Sequence, residues 1–448
     1  VLIVFLVLEF GRATLKYHLL NYTPGVIVMV VNYDRLFSSR SKLLKSSEIR
    51  ELLKLTQSGD FISLAGGLPN PQAFPIEAIH ECIEKVFKNN IYNALQYGTT
   101  EGLPMLRSVL SDRMRKEKKI DCTPYDLLIT SGAQQAISFV AFNFLDMGDT
   151  FITSAPTYLG ALQAFQAFGA NCESIPINHS GINLDSLRRN LSRLNRTGVI
   201  PKFLYTVATC QNPSGESIPV EHRKELLEIA SEYDFIIIED DPYGDLIFDG
   251  EQIPPIKSFD TKGRVIYIST FSKILAPGFR LAWVVASEDI ITKFAQTKQS
   301  MDLCSNVFTQ YVAYEYVKGG YLDKQVETIR TLYKHKRDVM IEALQQYFPK
   351  EAKWTVPNGG MFLWVTLPKS VNTRHMFKRA LARKVAYVIG DTFYPDSSNY
   401  NSMRLNFSYS DDDVIREGIK RLAEVIKEEM TVPSTDYDRK AYYGASGV

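Results

Sequence analysis

The stretch Ser269-Thr-Phe-Ser-Lys-Ile-Leu-Ala-Pro-Gly-Phe-Arg280 puts a lysine, Lys273, just after an apolar run. The hydroxyls of Thr270 and Ser272 flank it, and Arg280 follows seven residues on. A lysine amine can condense with an aldehyde to a Schiff base. Hydroxyls and a guanidinium beside it can hold a phosphate, the arginine with a bidentate grip. Taken alone, the stretch reads more simply as a solvated lysine in a polar loop. A second segment, Phe235-Ile-Ile-Ile-Glu-Asp-Asp-Pro-Tyr243, delivers Asp240 and Asp241 at the end of an apolar strand. Ligands of open α/β sheets bind at that end. A carboxylate there could keep a pyridine-type nitrogen protonated. It could equally cap a turn or hold a magnesium ion.

Three further segments add weaker signals. Thr130-Ser-Gly-Ala-Gln-Gln135 reads as strand, glycine turn and helix start. The amides of Ala133 and Gln134 could receive a phosphate there, or merely open a helix. Gln211-Asn-Pro-Ser-Gly215 could aim the Asn212 amide at a phenolate oxygen, or form a plain Asn-Pro turn. Met403-Arg-Leu-Asn-Phe407 alternates like a strand, and Arg404 could grip a carboxylate or pair on a sheet surface.

The elements that must position these residues follow from hydrophobic periodicity. From Tyr125 to about Ser287, short apolar runs alternate with amphipathic stretches. Strands are predicted at 127–130, 150–153, 202–205, 235–239, 265–268 and 281–285. Helices are predicted at 134–144, 161–168 and 220–233. Continuous apolar strands separated by helices imply a mainly parallel sheet covered on both faces. Helices are also predicted at 46–58, at 75–88 and after Gly102. A long helical stretch follows from about Asp289 to Gln346, with a break at Gly319-Gly320, then a strand at 361–365. Leu64-Ala-Gly-Gly-Leu-Pro-Asn-Pro71 is too rich in glycine and proline for a regular element. The tail after Pro433 is polar and reads as disordered.

Composition narrows the function classes. The chain has 448 residues, 45% hydrophobic and 23% charged, with material for a large core. A net charge of +1 offers no bulk attraction for nucleic acid or an anionic membrane. The five cysteines are odd in number and widely spaced, which argues against a disulfide framework and for a reducing cytoplasm. The six histidines lack ligand spacing, so no metal site is expected. The apolar runs Val1–Leu8 and Val26–Val31 are too short to span a membrane. Residues 1–30 read as an extension outside the native fold or disordered, with a weak anchor or an extra strand as alternatives.

In this order and spacing, the five motifs together resemble the pyridoxal-phosphate (PLP) aminotransferases of fold type I. Leu64–Pro71 with Phe74-Pro75, and Val31-Asn-Tyr-Asp-Arg35, resemble the kynurenine/2-aminoadipate and multi-substrate aromatic branch. The resemblance covers roughly Val31 to Glu429. It implies an α/β fold with a large domain, whose mainly parallel seven-stranded sheet is flanked by helices, and a smaller α+β domain. The implied division is an N-terminal arm and part of the small domain at 31–75, the large PLP-binding domain at 76–330, the small domain at 331–430 and a tail at 431–448.

The resemblance also implies roles. Lys273 matches the Schiff-base lysine and proton shuttle. Asp240 matches the partner of the pyridine nitrogen, with Asp241 as the alternative if the register shifts by one. Asn212 and Tyr243 match groups on the ring's phenolic oxygen, and Tyr158 matches the aromatic that stacks on the ring. The phosphate would lie among the Ala133 and Gln134 amides, the Thr270 and Ser272 hydroxyls, and Arg280. Many relatives have serine where Ala133 stands, so one hydroxyl is missing there. Tyr97 matches a tyrosine that reaches the phosphate of the neighbouring subunit, which implies a homodimer with a shared site. Arg404, aided by Gly67 and Asn212, matches the binder of the substrate α-carboxylate. Arg50 matches an arginine that pairs with acidic substrate side chains, and reads equally as a solvent-facing helix residue. The implied reaction is ping-pong transamination of 2-aminoadipate, glutamate or an aromatic amino acid with 2-oxoglutarate. The same fold also serves C–S lyases, decarboxylases and PLP-binding regulators. Such regulators carry a winged-helix domain, for which the residues before Leu64 are too few and too apolar.

Overall fold

Aliphatic and β-branched runs form the strands, and the way those strands end decides where the chemistry-bearing residues go. The structure is a computed structural model that describes residues 31–44 and 61–431. The expected helix at 46–58, Arg50, the N-terminal extension and the polar tail all lie wholly or mainly outside the described residues. Two compact units divide between Lys42 and Leu43. The first holds a 3-10 turn at Tyr33–Arg35 and all but the last residue of a short helix, Ser39–Leu43, and no residue of the two is buried.

In chain order the strands of the second unit are β1 (Ile62–Ser63), β2 (Leu127–Thr130), β3 (Thr150–Ala155), β4 (Asn171–Asn178), β5 (Gly181–Ile182), β6 (Phe203–Thr206) and β7 (Ile236–Asp241). They continue with β8 (Val265–Thr270), β9 (Ala282–Val285), β10 (Lys353–Trp354), β11 (Phe362–Thr366), β12 (Val385–Ala386), β13 (Val388–Ile389) and β14 (Ser402–Asn406). The large sheet runs β2-β9-β8-β7-β6-β3-β4-β5. It therefore has eight strands and not the expected seven, the extra one being the two-residue β5 that turns back antiparallel on β4. The pairs β4–β3, β3–β6, β6–β7 and β7–β8 are parallel, whereas β9 is antiparallel to both β8 and β2.

Two reversals through β9 leave β2 pointing the same way as β8. The C-terminal ends of β2, β3, β6, β7 and β8 thus share one edge of the sheet, and β9 starts from that edge. Both faces are covered, because successive strand residues enter different cores. Phe151, Phe203, Tyr205 and Ile238 pack in one cluster with Phe139 and Val140 of helix Ala133–Phe144. Their neighbours Ile152, Leu204 and Ile237 pack in another with Leu187 of helix Leu184–Arg196 and Leu226 of helix Val220–Glu232.

A second sheet, β10-β11-β14-β13, is antiparallel, and Arg404 sits in its β14 opposite Trp364 on one side and Val388 on the other. Strand β1 pairs in parallel with β12. The chain then passes β14, where the Leu64 carbonyl accepts from the Asn406 N–H at 2.9 Å, and continues into the glycine-rich segment.

The sequence reading passes over residues 171–196, where β4, β5 and a helix stand. Strand β4 is half-exposed and contains Pro176, so it lacks a clean apolar run. The helix Leu184–Arg196 does carry a readable stripe, since Leu184, Leu187, Leu191 and Leu194 are all buried. The long stretch after Asp289 is three helices: Glu288–Met301, Val307–Lys318 and Tyr321–Tyr347. Its unexpected first break falls at Leu303, which takes a left-handed φ of 63°.

Candidate active site

Each strand that ends on the common edge hands over one candidate residue. After β2 comes Gly132, the N-cap of helix Ala133–Phe144, which bears no side-chain cap and leaves the first-turn amides to outside acceptors. After β3 comes Tyr158, after β6 Asn212, after β7 Tyr243 and after β8 Lys273. Arg280 immediately precedes Leu281 and β9. A parallel sheet gathers residues far apart in sequence because it aligns the ends of its strands.

Lys273 Nζ donates to the Gly67 carbonyl at 2.8 Å. Burial, with the cations of Arg404 and Arg280, pulls its pKa from 10.5 to about 8. Near neutral pH an appreciable fraction is therefore the free amine, the form that attacks a carbonyl or takes a proton.

Asp240 and Asp241 are adjacent on β7, so their side chains leave opposite faces of the sheet. The Tyr205 hydroxyl donates to Asp240 Oδ2 at 2.7 Å, while Oδ1 is buried without a partner. Burial pushes this carboxyl up to about 7; the Tyr205 hydrogen bond opposes the shift and the Asp241 charge adds to it. Asp241 is committed elsewhere. It accepts from the Tyr267 hydroxyl at 2.7 Å and the Gly244 N–H at 2.8 Å, and Lys118 Nζ lies 4.0 Å away. Of the two, Asp240 alone keeps a buried oxygen open for a donor.

Arg404 is buried, and the cost of that burial lowers its pKa to about 10. It donates to Asn212 Oδ1 and to the Ala65 carbonyl, each at 2.8 Å, and its Nε is buried without a partner. Among the described residues no carboxylate pairs with it. The ring of Phe362 lies 4.0 Å from the guanidinium carbon and that of Phe393 lies 5.2 Å away. Phe362 also meets Tyr243 edge-on at 6.0 Å. Because Asn212 turns its oxygen to Arg404, its amide hydrogens are left to face another acceptor.

At the phosphate-like end, Gly132 has a φ of +90°, and a Cβ there would come within 2.3 Å of Arg280 Nη2. Only glycine lets the guanidinium lie over this turn. Thr270 Oγ1 and Ser272 Oγ bond each other at 2.9 Å. The Tyr158 hydroxyl donates to Gln134 Oε1 at 3.3 Å.

The structure thus brings together Lys273, Asp240, Asn212, Tyr243, Arg404, Gly67 and Arg280, with Gln134 bonded to Tyr158 and Ala133 opening the capless helix. It does not bring Tyr97 to this site: that residue is 80% exposed, near the exposed Tyr92 and Leu95 in sequence. Two contributors escaped the sequence reading. Tyr205 stands at the end of the predicted strand 202–205 with no local sign of its role, although a buried tyrosine needs a partner for its hydroxyl. Phe362 gave no local signal, since its role depends on β11 lying beside β14.

These groups fit PLP. An open, buried carboxylate oxygen suits a protonated pyridine nitrogen. A capless helix start beside a guanidinium suits a phosphate, and a buried amine of lowered pKa suits an aldehyde.

Comparison with known proteins agrees. The family profile "Aminotransferase class I and II" matches residues 65–422. The aromatic-amino-acid aminotransferase 1 of Thermococcus litoralis is 49% identical, over 89% of this chain and 96% of that protein. The 2-aminoadipate transaminase of Thermus thermophilus is 36% identical, over 89% of this chain and 98% of its own length. The crystal structure of Pyrococcus horikoshii kynurenine aminotransferase in complex with PMP superposes with a TM-score of 0.87 at 49% identity, covering 90% of this chain and 99% of that one. The chain belongs to the class I and II aminotransferases, PLP-dependent enzymes of fold type I.

Proposed function

We propose that Lys273 carries the cofactor and acts as the proton shuttle of a ping-pong transamination. The observation that carries this reading is the Lys273 amine, buried near the cations Arg404 and Arg280 with its pKa lowered to about 8. Bound PLP supplies an aldehyde for an amine and a ring that accepts the electron pair left at the substrate Cα. Lys273 Nζ, as the free amine, would take and return the proton at that carbon. The open oxygen of Asp240 would hold the ring-nitrogen proton. The Asn212 amide and the Tyr243 hydroxyl would bind the phenolic oxygen, with Tyr158 as the aromatic beside the ring. The Ala133 and Gln134 amides, the Thr270 and Ser272 hydroxyls, and Arg280 would hold the phosphate. Arg404 takes the substrate α-carboxylate beside Gly67, because a buried guanidinium bonded to neutral acceptors lacks an anion.

The similar proteins named above support aromatic amino acids, kynurenine and 2-aminoadipate as amino donors, and we take 2-oxoglutarate as acceptor. Arg50 would pair with an acidic substrate side chain. We further propose that the two sheets mark a large and a small domain, and that the enzyme is a homodimer in which Tyr97 serves the neighbouring subunit. The exposed Tyr92, Leu95 and Tyr97 support such a surface. Five free cysteines support a reducing cytoplasm as its place of work. Among the described residues no helix is long and apolar enough to cross a membrane.

The test is a panel of amino acids with 2-oxoglutarate, run on wild type and Lys273→Ala. Glutamate should form with the wild type alone, and the visible absorption of the bound cofactor should be lost in the variant. Pyruvate and ammonia without an acceptor would instead indicate a lyase, and a variant with unchanged absorption would remove Lys273 from its role.

A further inference from the structure

The loop between β2 and helix Ala133–Phe144 is tied down from outside by a charged cluster that the mechanism does not use. Lys298, near the end of helix Glu288–Met301, has a fully buried side chain. Its Nζ donates to both oxygens of Asp302, at 2.7 and 2.9 Å, and to Ser305 Oγ at 2.9 Å. Asp302 Oδ2 also accepts from Ser131 Oγ at 3.0 Å and from Gln135 Nε2 at 2.7 Å. Gln135 turns its other amide atom, Oε1, to the Ser131 N–H at 2.7 Å and to Lys298 Nζ at 3.4 Å.

Burying an ion pair seldom stabilises a fold more than well-packed apolar groups would. The placement of these bonds suggests another use. They fall on Ser131 and Gln135, the two residues that bracket Gly132, Ala133 and Gln134. Ser131 and Gln135 both donate to Oδ2 of Asp302 and Lys298 donates to both oxygens, so the side chain accepts on both, as a carboxylate does and an amide does not. Lys298 in turn cancels a negative charge that would otherwise stand close to a bound phosphate.

We propose that Asp302, held by Lys298, is a positioning residue for the phosphate cup: it fixes Ser131 and Gln135 so that the intervening amides converge on the cofactor phosphate. This rests on the reading that the turn at Gly132 and Arg280 hold that phosphate. Asp302 acts through Ser131 and Gln135.

The test measures the dissociation constant of PLP from the holoenzyme by dialysis and the 31P resonance of the bound phosphate. Asp302→Asn sets an N–H among donors and should weaken cofactor binding about ten-fold, the loss of one charge-assisted hydrogen bond, and shift the 31P line. Gln135→Met leaves the ion pair intact and cuts only the tether, so it decides the matter if Asp302→Asn fails to fold. Thr297→Val is the control: its hydroxyl bonds Asn143 on the same pair of helices, away from the cup, and affinity and 31P line should stay as in wild type. Wild-type affinity and an unmoved 31P line in Gln135→Met and in any folded Asp302→Asn would overturn the proposal. Arg280→Ala separates the two levels. If it too binds PLP like wild type, the cup itself is misassigned. If it alone weakens binding, the cup stands and the role of Asp302 falls.

Discussion

On the assignment proposed above, the site offers two guanidinium groups to two anions, and the protein holds the two groups in opposite ways. Arg280 is an exposed residue in a left-handed turn, with φ of 51°, leaning over Gly132 beside a helix N-terminus. It is one donor among several in its neighbourhood. Arg404 is buried in a sheet, roofed by Phe362 and Phe393, bonded to the neutral oxygens of Asn212 and Ala65, with Nε left over. A permanently held phosphate can be bound in partial contact with water, because many donors share the work. A carboxylate that arrives and leaves at each turnover meets one dehydrated cation, where the interaction is strong and geometry selects the ligand.

The largest test of that difference is Arg404→Ala. We expect the KM for the amino acid, and for the 2-oxo acid, to rise roughly 10²-fold or more, as when one partner of a buried charge pair is truncated. Steady-state kinetics at saturating PLP would read it, and a rise of only two- or three-fold would show that the carboxylate binds elsewhere. Arg280→Ala should weaken PLP binding roughly ten-fold, a smaller effect because other donors remain; dialysis of the holoenzyme measures it. A loss greater than that of Arg404→Ala on its own ligand would invert the comparison. Phe362→Leu removes the aromatic face beside Arg404 and should raise KM roughly three-fold, the scale of a cation–π contact. An unchanged KM would make the ring mere packing.

The finest test is a titration. With cofactor removed, the Lys273 amine should react with a carbonyl reagent at a rate that rises through about pH 8 and then levels, instead of climbing toward 10.5. Removing the charge in Arg404→Gln should move that midpoint upward, since a neighbouring cation disfavours the ammonium form. Linkage gives the matching stability term. Between about pH 8 and 10.5 the unfolded chain binds the proton that folded Lys273 has released. Stability of the cofactor-free protein should therefore rise with pH across that window in chemical denaturation, and fall again as pH drops toward 8.

Lys273 and Arg280 stand with two hydroxyls within one loop, but that loop alone reads as a solvated lysine, and their roles became legible only from the order and spacing of all five motifs. Asp240 and Asp241 were legible as a pair, and the resemblance put Asp240 first with Asp241 as the alternative, but local sequence alone could not say which of them faces a ligand. The alternation of β7 leaves a choice of two faces, and only packing against Tyr205 on one side and Tyr267, Gly244 and Lys118 on the other resolves it. Strand β5 escaped notice because two residues carry no periodic signal, and the break at Leu303 because nothing in its side chain announces a left-handed turn.

What the sequence determined by itself was the alternation of apolar strands and amphipathic helices, and with it a parallel sheet and the edge where functional residues must lie. Those are consequences of period and order along the chain. What tertiary structure alone decided was which groups meet: Lys273 with Gly67, Arg404 with Asn212 and Phe362, Asp302 with Ser131 and Gln135. These partners lie tens to hundreds of residues apart, so no local rule brings them together; the pairing of strands and the packing of helices do.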